Sequence, residues 1–418
     1  MSSLYLETKE GSSVNIKGWI LSIREQKTIL FLIVVRMREQ VQLVIKDPKL
    51  IDKCSGLNVN TAIEAVGTVK RTDRVPSGFE IEVKSIKTIV TPKKRSPFDL
   101  IGKNMPGIET RLDMRSLDLR HPLNLALFKL RAYMLSSIRE HLTANGFLEV
   151  NTPKIIATAS EGGAALFPIM YYDKEAFLAQ SPQLYKEELV MSFERVFEIG
   201  PIFRAEPSHT VRHLSEATSL DAEAAFFNNE EMMELLERTL VHVLEDLAGR
   251  SEMAIIKAPK ITAITPFSRF KYGEIVDRLA STGFHIEFGD DLDSAALKAW
   301  GDRVGGFYFI TEWPNKLKPF YIKPKDDKVS FSFDLMYREI ELSSGGERIY
   351  DRRVLEKRIR EAGLPVQAFK NHLSVYDYGM PPHAGFGVGI ERLLMVIAGL
   401  KNIRDAVLYP RDIRRLTP

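Results

Sequence analysis

The chain has 418 residues, 44% apolar and 27% charged, with 58 Lys and Arg against 55 Asp and Glu for a net charge of +3. This is the composition of a globular protein of about two or three domains, and a charge this small does not by itself announce a nucleic-acid partner. Apolar runs such as Ile29 to Val35 fall far short of the roughly 20 residues that cross a bilayer, and MSSLYLETKEG has no basic stretch followed by an apolar one, so no membrane span or export signal is expected and the cytoplasm is the expected location. The single Cys54 cannot form an internal disulfide or a cysteine-based metal cluster, which fits a reducing compartment.

The first ninety residues read as five short strands, Val14 to Ile23, Ile29 to Arg36, Val41 to Lys46, Ala62 to Arg71 and Phe79 to Val90, an array that suggests an OB-type barrel. The alternation Phe79-Glu80-Ile81-Glu82-Val83 places the apolar residues inside and both glutamates on an open face. Phe31 and Gln42 offer a stacking surface and an amide on neighbouring strands, and Glu80 an acceptor, a combination suited to unpaired bases; the apolar run around Phe31 leaves a core role open for that ring. Lys84, Lys87, Lys93, Lys94 and Arg95 could meet a phosphate backbone or could simply be a solvated linker.

Pro92 to Pro106 is rich in Pro, Lys, Gly and Asn and reads as the break between domains. Leu123 to Asn145 follows as an amphipathic helix closed by Gly146. Strands at Arg195 to Ile199, Phe307 to Thr311 and Glu339 to Leu342 then mix with helices at Glu230 to Ala248, Lys271 to Ser281 and Arg353 to Ala362. No regular strand-helix-strand repeat is present, so the expected class is α+β, an antiparallel sheet flanked by helices.

Two distant segments carry the chemistry. FRAEPSHTVRHLSE (Phe203 to Glu216) and GFGVGIERL (Gly385 to Leu393) each set arginines among acidic or turn-forming residues beside apolar runs, an arrangement suited to gripping a triphosphate between guanidinium groups. The GxG turn read before the last helix lacks the third glycine and the later acidic residue of a dinucleotide fingerprint. Together the two segments resemble motifs 2 and 3 of the class II aminoacyl-tRNA synthetases, and GFLEVNTPKI (Gly146 to Ile155) resembles motif 1, with Pro153 at its signature proline. AQSPQLYKE (Ala179 to Glu187) and SFDLMYREIELSSGGERI (Ser332 to Ile349) resemble the amino-acid pocket of the aspartyl-tRNA synthetases of archaeal and eukaryotic-like type.

The resemblance implies an OB-fold anticodon-binding domain over 1–97, a hinge over 98–122 and a class II catalytic domain over 123–418 that forms a homodimer through motif 1. It implies an enzyme that joins aspartate to tRNA(Asp), with tRNA(Asn) an open second acceptor, using ATP and Mg²⁺. Arg204 and Arg392 would be catalytic, Arg204 bridging the α-phosphate and the aspartate carboxyl. ATP would also meet Glu206, Arg212, His213, Leu214, Glu341, Gly389 and Glu391, and Mg²⁺ would meet Asp334, Glu341 and Ser344. Asp334 and Glu341 are read as bracketing one short strand.

Around aspartate, Ser181, Gln183, Asp221 and Glu161 would address the ammonium group, Lys186 and Arg348 the β-carboxylate, with Ser344 close by. Two cations converging on a buried carboxylate disfavour the neutral amide, and asparaginyl relatives carry a non-basic residue where Lys186 stands. His383 reads as a loop residue near the pocket without a catalytic part. Ala217 and Thr218 stand where many relatives stack an aromatic on adenine, Leu21 where relatives place a larger ring thought to touch the anticodon, and Pro76 stiffens the turn before Glu80 and leans toward acceptance of tRNA(Asn). The alternatives kept open are an asparaginyl-tRNA synthetase, a paralogue making asparagine from an adenylate, and a non-catalytic tRNA-binding paralogue.

Overall fold

The computed structural model describes residues 9–36, 39–75, 77–102, 105–157, 166–206 and 213–417. The described residues divide into two compact units, 9–126 and 127–417. Pro76 lies outside the described residues.

In the first unit, β1 (Ser13–Gln26), β2 (Ile29–Arg36) and β3 (Glu39–Ile45) are followed by the short helix α1 (Pro48–Lys53), then β4 (Ala62–Arg71) and β5 (Phe79–Val90). The five strands close into a barrel in the order β1-β2-β3-β5-β4, with β3 and β5 parallel and the other pairs antiparallel. Alternation explains the closure: Ile16, Ile20, Leu32, Val34, Leu43, Ile63, Val69 and Ile81 point inward and are fully buried, each contributing about 1.5–3 kcal/mol through burial. In β5, Phe79, Ile81 and Val83 are buried while Glu80 and Glu82 stay outside. Two short helices, α2 (Ile108–Asp113) and α3 (Arg115–Asp118), follow β5 in this unit.

Leu21 behaves differently from its expected place at the base-reading face. A bulge between Ile20 and Ser22 breaks the alternation of β1, so Leu21 turns into a satellite core with Val35 and Leu100.

The second unit is built on α4 (Pro122–Ala144), whose end is followed by Gly146 at φ +81°, the left-handed conformation that suits glycine. Next come β6 (Leu148–Glu149), β7 (Ile155–Ile156), the hairpin β8 (Pro168–Tyr171) and β9 (Lys174–Leu178), α5 (Gln183–Phe193), β10 (Arg195–Phe203) and β11 (Glu216–Ala225). After them lie α6 (Asn229–Ala248), α7 (Ser251–Ile255), β12 (Ser268–Lys271), α8 (Tyr272–Ser281), α9 (Ser294–Val304) and β13 (Phe307–Thr311). The chain finishes with β14 (Ser332–Tyr337), β15 (Ile340–Glu347), α10 (Arg352–Glu361), α11 (Lys370–Tyr376), β16 (His383–Gly389) and α12 (Ile390–Ala398).

Eight strands form one sheet in the order β12-β13-β14-β15-β16-β11-β10-β6. The sheet is antiparallel from β13 to β10 and parallel at both edges, β12 with β13 and β6 with β10. The body of the sheet is antiparallel and flanked by helices as expected; at one edge β12 runs parallel because it reaches β13 through α8 and α9, a helical crossover of the kind that parallel neighbours require.

Helices α4, α6 and α12 bury Leu130, Met134, Met232, Val243, Leu393 and Leu394 in the main core with Phe197, Phe333 and Phe386 of the sheet. A box between Asn228 and Glu231 caps the start of α6. A separate core joins α10 and α11 to Leu184 and Met191 of α5.

Candidate active site

The register of the sheet sets out the site. Antiparallel partners face the same side, and Asp334, Ser344, Gly387, Asp221 and Glu198 are partners in one row running across β14, β15, β16, β11 and β10. The next row pairs Glu223 with Gly385, and the one on the other side pairs Ser219 with Gly389. The glycines of GFGVG therefore form a central strand, not the turn expected from the sequence, and they leave the face above β16 bare between two polar strands. A Cβ on Gly385 would collide with the Glu223 carboxylate and the Ala222 carbonyl, so glycine is what allows β11 and β16 to pair with a buried acid between them.

Above this bare patch opens a cavity of about 280 Å³. Arg204, Glu206, His213 and Leu214 line it from the region between β10 and β11, and Asp221 from β11 itself. Glu341, Ser344 and Arg348 reach it from β15 and just beyond, Gly389, Glu391 and Arg392 from the start of α12, and Ser181 and Gln183 from the start of α5. Glu161 and Arg212 lie outside the described residues. Lys186 and Asp334 are not on the cavity wall; both are buried behind it.

Lys186 is 1% exposed, and its Nζ lies 2.9 Å from Asp221 Oδ1 and 3.4 Å from Glu223 Oε2. Arg348 donates through Nε to Glu223 Oε1 at 2.9 Å and through Nη2 to Glu223 Oε2 at 3.2 Å and Gln183 Oε1 at 3.3 Å. Burial opposes the Arg348 charge, yet Glu223 outweighs it and raises the guanidinium pKa further. Both cations expected to converge on a substrate carboxylate are thus already matched by carboxylates of β11. Glu223 was absent from the sequence expectations, and its signal was the two-residue spacing from Asp221, which puts both acids on one face of a strand.

Asp334 and Glu341 do not bracket one strand: they stand on the two arms of the β14–β15 hairpin. Lys318 Nζ lies 2.6 and 2.7 Å from the two oxygens of Asp334 and 3.3 Å from Ser344 Oγ. The walls of the cleft and then the Asp334 charge push the Glu341 carboxyl up, against the pull of Arg392, Lys318 and Arg204. Two carboxylates beside a hydroxyl form a hard-oxygen set fit for a divalent cation. Arg392 donates through Nη1 to the Glu341 carbonyl at 3.1 Å.

Glu391 is tied into the wall, accepting from Arg131 Nη2 and from the Thr218 amide, both at 2.9 Å. It is therefore a brace for the β11–α12 corner, and Ala217 and Thr218 line the same end of the cavity. His383 opens β16 and is 1% exposed, so it is a buried strand residue rather than the loop residue expected.

On the barrel, Phe31 and Gln42 line one outer concavity of about 400 Å³ together with Arg24 and Arg74. Phe31 is half-buried and stands under the Arg24 guanidinium at 5.1 Å, while Gln42 Nε2 donates to Glu80 Oε2 at 2.9 Å. The three residues singled out for base recognition thus share one face of the barrel.

Known proteins fit this architecture. Residues 107–413 match the family model of class II tRNA synthetases (D, K and N), and residues 14–89 match the OB-fold nucleic acid binding domain. The chain is 43% identical to the aspartate–tRNA(Asp/Asn) ligase of Methanothermobacter thermautotrophicus, over 98% of this chain and 96% of that one. It is 42% identical to the aspartate–tRNA(Asp) ligase of Picrophilus torridus, over 97% of each. Among solved structures, asparaginyl-tRNA synthetase from Pyrococcus horikoshii complexed with asparaginyl-adenylate superposes with a TM-score of 0.91 at 32% identity, over 98% of this chain and 97% of that one. With both the barrel and the cleft-bearing unit matched and relatives 42–43% identical over nearly the whole chain, the chain belongs to the class II tRNA synthetases of the D, K and N family.

Proposed function

We propose that the chain activates L-aspartate with ATP and transfers the aspartyl group to the 3′ end of tRNA(Asp), with tRNA(Asn) as a second acceptor, in the cytoplasm and as a homodimer joined through GFLEVNTPKI. The observation that carries the choice of amino acid is the balanced cluster behind the cleft, Lys186 and Arg348 against Asp221 and Glu223. Asp221 and Arg348 are its two members on the cavity wall. An aspartate whose ammonium meets Asp221 and whose β-carboxylate meets Arg348 adds one charge of each sign and leaves the balance intact. Asparagine would add an unmatched positive charge in a desolvated place, a difference of several kcal/mol.

Activation places the α-carboxylate in line with the α-phosphorus of ATP, with pyrophosphate leaving. Charge grows on phosphoryl oxygens, so the protein's part is positioning and fixed positive charge. Arg204 is suited to bridge the carboxylate and the α-phosphate, His213 and Arg392 to hold the outer phosphates, and Glu206 to accept from the adenine amino group. Asp334, Glu341 and Ser344 would be the oxygen donors for Mg²⁺, which when bound would neutralise phosphate charge. In the second step the ribose hydroxyl of the tRNA end attacks the aspartyl-adenylate, whose own phosphate takes the proton. The barrel face of Phe31, Gln42 and Glu80 is assigned to anticodon bases, which stack on the ring and bond to the amide and carboxylate. Support for the second acceptor comes from relatives that are themselves named for both tRNAs.

The test is charging of tRNA(Asp) and tRNA(Asn) with labelled aspartate, alongside labelled asparagine. Aspartate on both acceptors is the expected result. Aspartate on tRNA(Asp) alone would restrict the second half of the proposal, and transfer of asparagine in place of aspartate would overturn the reading of Lys186 and Arg348.

A further inference from the structure

Behind the amino-acid pocket lies a second tier of buried polar groups that no step of the reaction uses. Glu187 follows Lys186 in α5 and is 0% exposed. Its Oε1 accepts from Gln183 Nε2 at 2.7 Å, and its Oε2 accepts from Tyr376 Oη at 2.7 Å and lies 3.3 Å from His372 Nε2. The other nitrogen of His372, Nδ1, lies 2.9 Å from Glu188 Oε1. An imidazole with an acid beside each nitrogen is held as the imidazolium. Among the buried groups, three cations (Lys186, Arg348, His372) face three carboxylates (Asp221, Glu223, Glu187) under the pocket, while Glu188, on the outer nitrogen of His372, is a fourth carboxylate that remains one-third exposed. A charge-balanced tier of this kind can be buried where a single member could not.

The geometry gives the tier a task. Gln183 lies on the cavity wall with an amide whose two ends differ, one a donor and one an acceptor. Glu187 accepts from the nitrogen end, so the oxygen end is left for Arg348 Nη2 and for a donor arriving in the pocket. Reversing the amide would set its oxygen against the Glu187 carboxylate and its NH₂ against the Arg348 guanidinium, unfavourable on both sides. Tyr376 and His372, one turn apart on α11, hold Glu187 in place from the far side.

We propose that Glu187, clamped by His372 and Tyr376, is a positioning residue for amino-acid selection: it fixes the Gln183 amide with its oxygen toward the substrate ammonium, and through Gln183 it places Arg348 for the substrate carboxylate. This rests on the aspartate-activating reading above. Glu187 reaches substrate only through Gln183 and Arg348, so its loss acts on amino-acid binding and spares ATP. The raised affinity of His372 for its proton, which Glu187 and Glu188 produce against the effect of burial, agrees with a permanently charged clamp.

The experiment is aspartate-dependent pyrophosphate exchange with wild type, Glu187→Gln and Tyr376→Phe, after thermal melts establish that each is folded. Wild-type exchange with aspartate tests the underlying reading by itself; its absence would remove that reading before the variants are compared. Given wild-type exchange, Glu187→Gln is expected to raise the aspartate KM about tenfold or more, since it removes the carboxylate charge that Gln183, Tyr376 and His372 all meet, and Tyr376→Phe about threefold, since it removes one of those contacts and leaves the charge in place, with the ATP KM unchanged and kcat within about threefold. The aspartate-over-asparagine preference should shrink in the same order. Should Glu187→Gln fail to fold, Tyr376→Phe, which removes one oxygen, and His372→Gln carry the comparison. Folded variants with an unchanged aspartate KM, or with ATP and aspartate KM raised alike, would overturn the proposal.

Discussion

Arg204 stands on the wall of the cleft with 45% of its side chain exposed, and its ion-pair partner Glu206 is 4.0 Å away and equally open. A contact of that kind contributes little to stability, so the residue is free to serve a ligand. Arg204→Ala should therefore abolish aspartate-dependent pyrophosphate exchange while leaving the melting temperature within about 2 °C of wild type. Retained exchange would take Arg204 out of the mechanism. Lys318 presents the reverse case, since it is largely buried on Asp334 and its ammonium occupies the space where two of the three proposed metal donors meet. Lys318→Met should cost about 3 kcal/mol in the metal-free protein by leaving Asp334 uncompensated. Mn²⁺ without ATP should then restore stability to the variant and do little to wild type. Equal shifts in both proteins would show that Lys318 and the cation do not share the site.

At the scale of elements, the pairing of α5 with α11 couples folding to pH. Burial alone would raise the Glu187 carboxyl, but His372 outweighs it and holds it at about 2; burial alone would lower His372, but Glu187 and Glu188 push it up to about 9. The sign follows for each partner. A histidine raised from 6.5 to about 9 stabilises fully below pH 6.5, and that contribution disappears as pH rises through 9. A glutamate lowered from 4.5 to about 2 stabilises fully above pH 4.5 and loses its contribution as pH falls toward 2. The two shifts report one interaction and are counted once. His383 on β16, Arg348 beyond β15 and Glu223 on β11 also bear on this tier, so the wild type must be compared with a variant rather than read alone. Urea unfolding at pH 6 and pH 9.5 should give wild type a loss roughly 1 to 3 kcal/mol greater than His372→Gln suffers. Identical losses would place the interaction elsewhere.

At the scale of the molecule, the two units hold different chemistry: a half-buried ring, amide and acid on the outer face of a closed barrel, and a charged cleft on an open sheet. Glu80 carries a hydrogen bond from Gln42 and belongs to the barrel alone. Glu80→Ala should leave pyrophosphate exchange within about twofold and reduce tRNA charging by roughly tenfold, the scale of one lost base contact. Equal damage to both steps would contradict an anticodon role. No helix among the described residues is long and apolar enough to cross a membrane.

Much of this was legible without coordinates, because local pattern dictates it. Alternation in Phe79 to Val83 fixed which face of β5 is open, the apolar period of Leu123 to Asn145 with Gly146 marked α4, and the spacing of arginines and acids in the two motif segments led to residues that line one cavity. What the chain alone could not determine was decided by strand register and burial. A run of glycines reads as a turn until neighbours on both sides make it a strand, and Leu21, at a position where relatives place a ring thought to touch the anticodon, is turned inward by a bulge. The partners of a buried charge lie far away in sequence: Lys186 meets Asp221 and Glu223, Arg348 meets Glu223, and Glu187 meets His372 and Tyr376. Sequence names the charged side chains, but burying charge requires compensation in space, and only the tertiary structure decides which opposite charge supplies it.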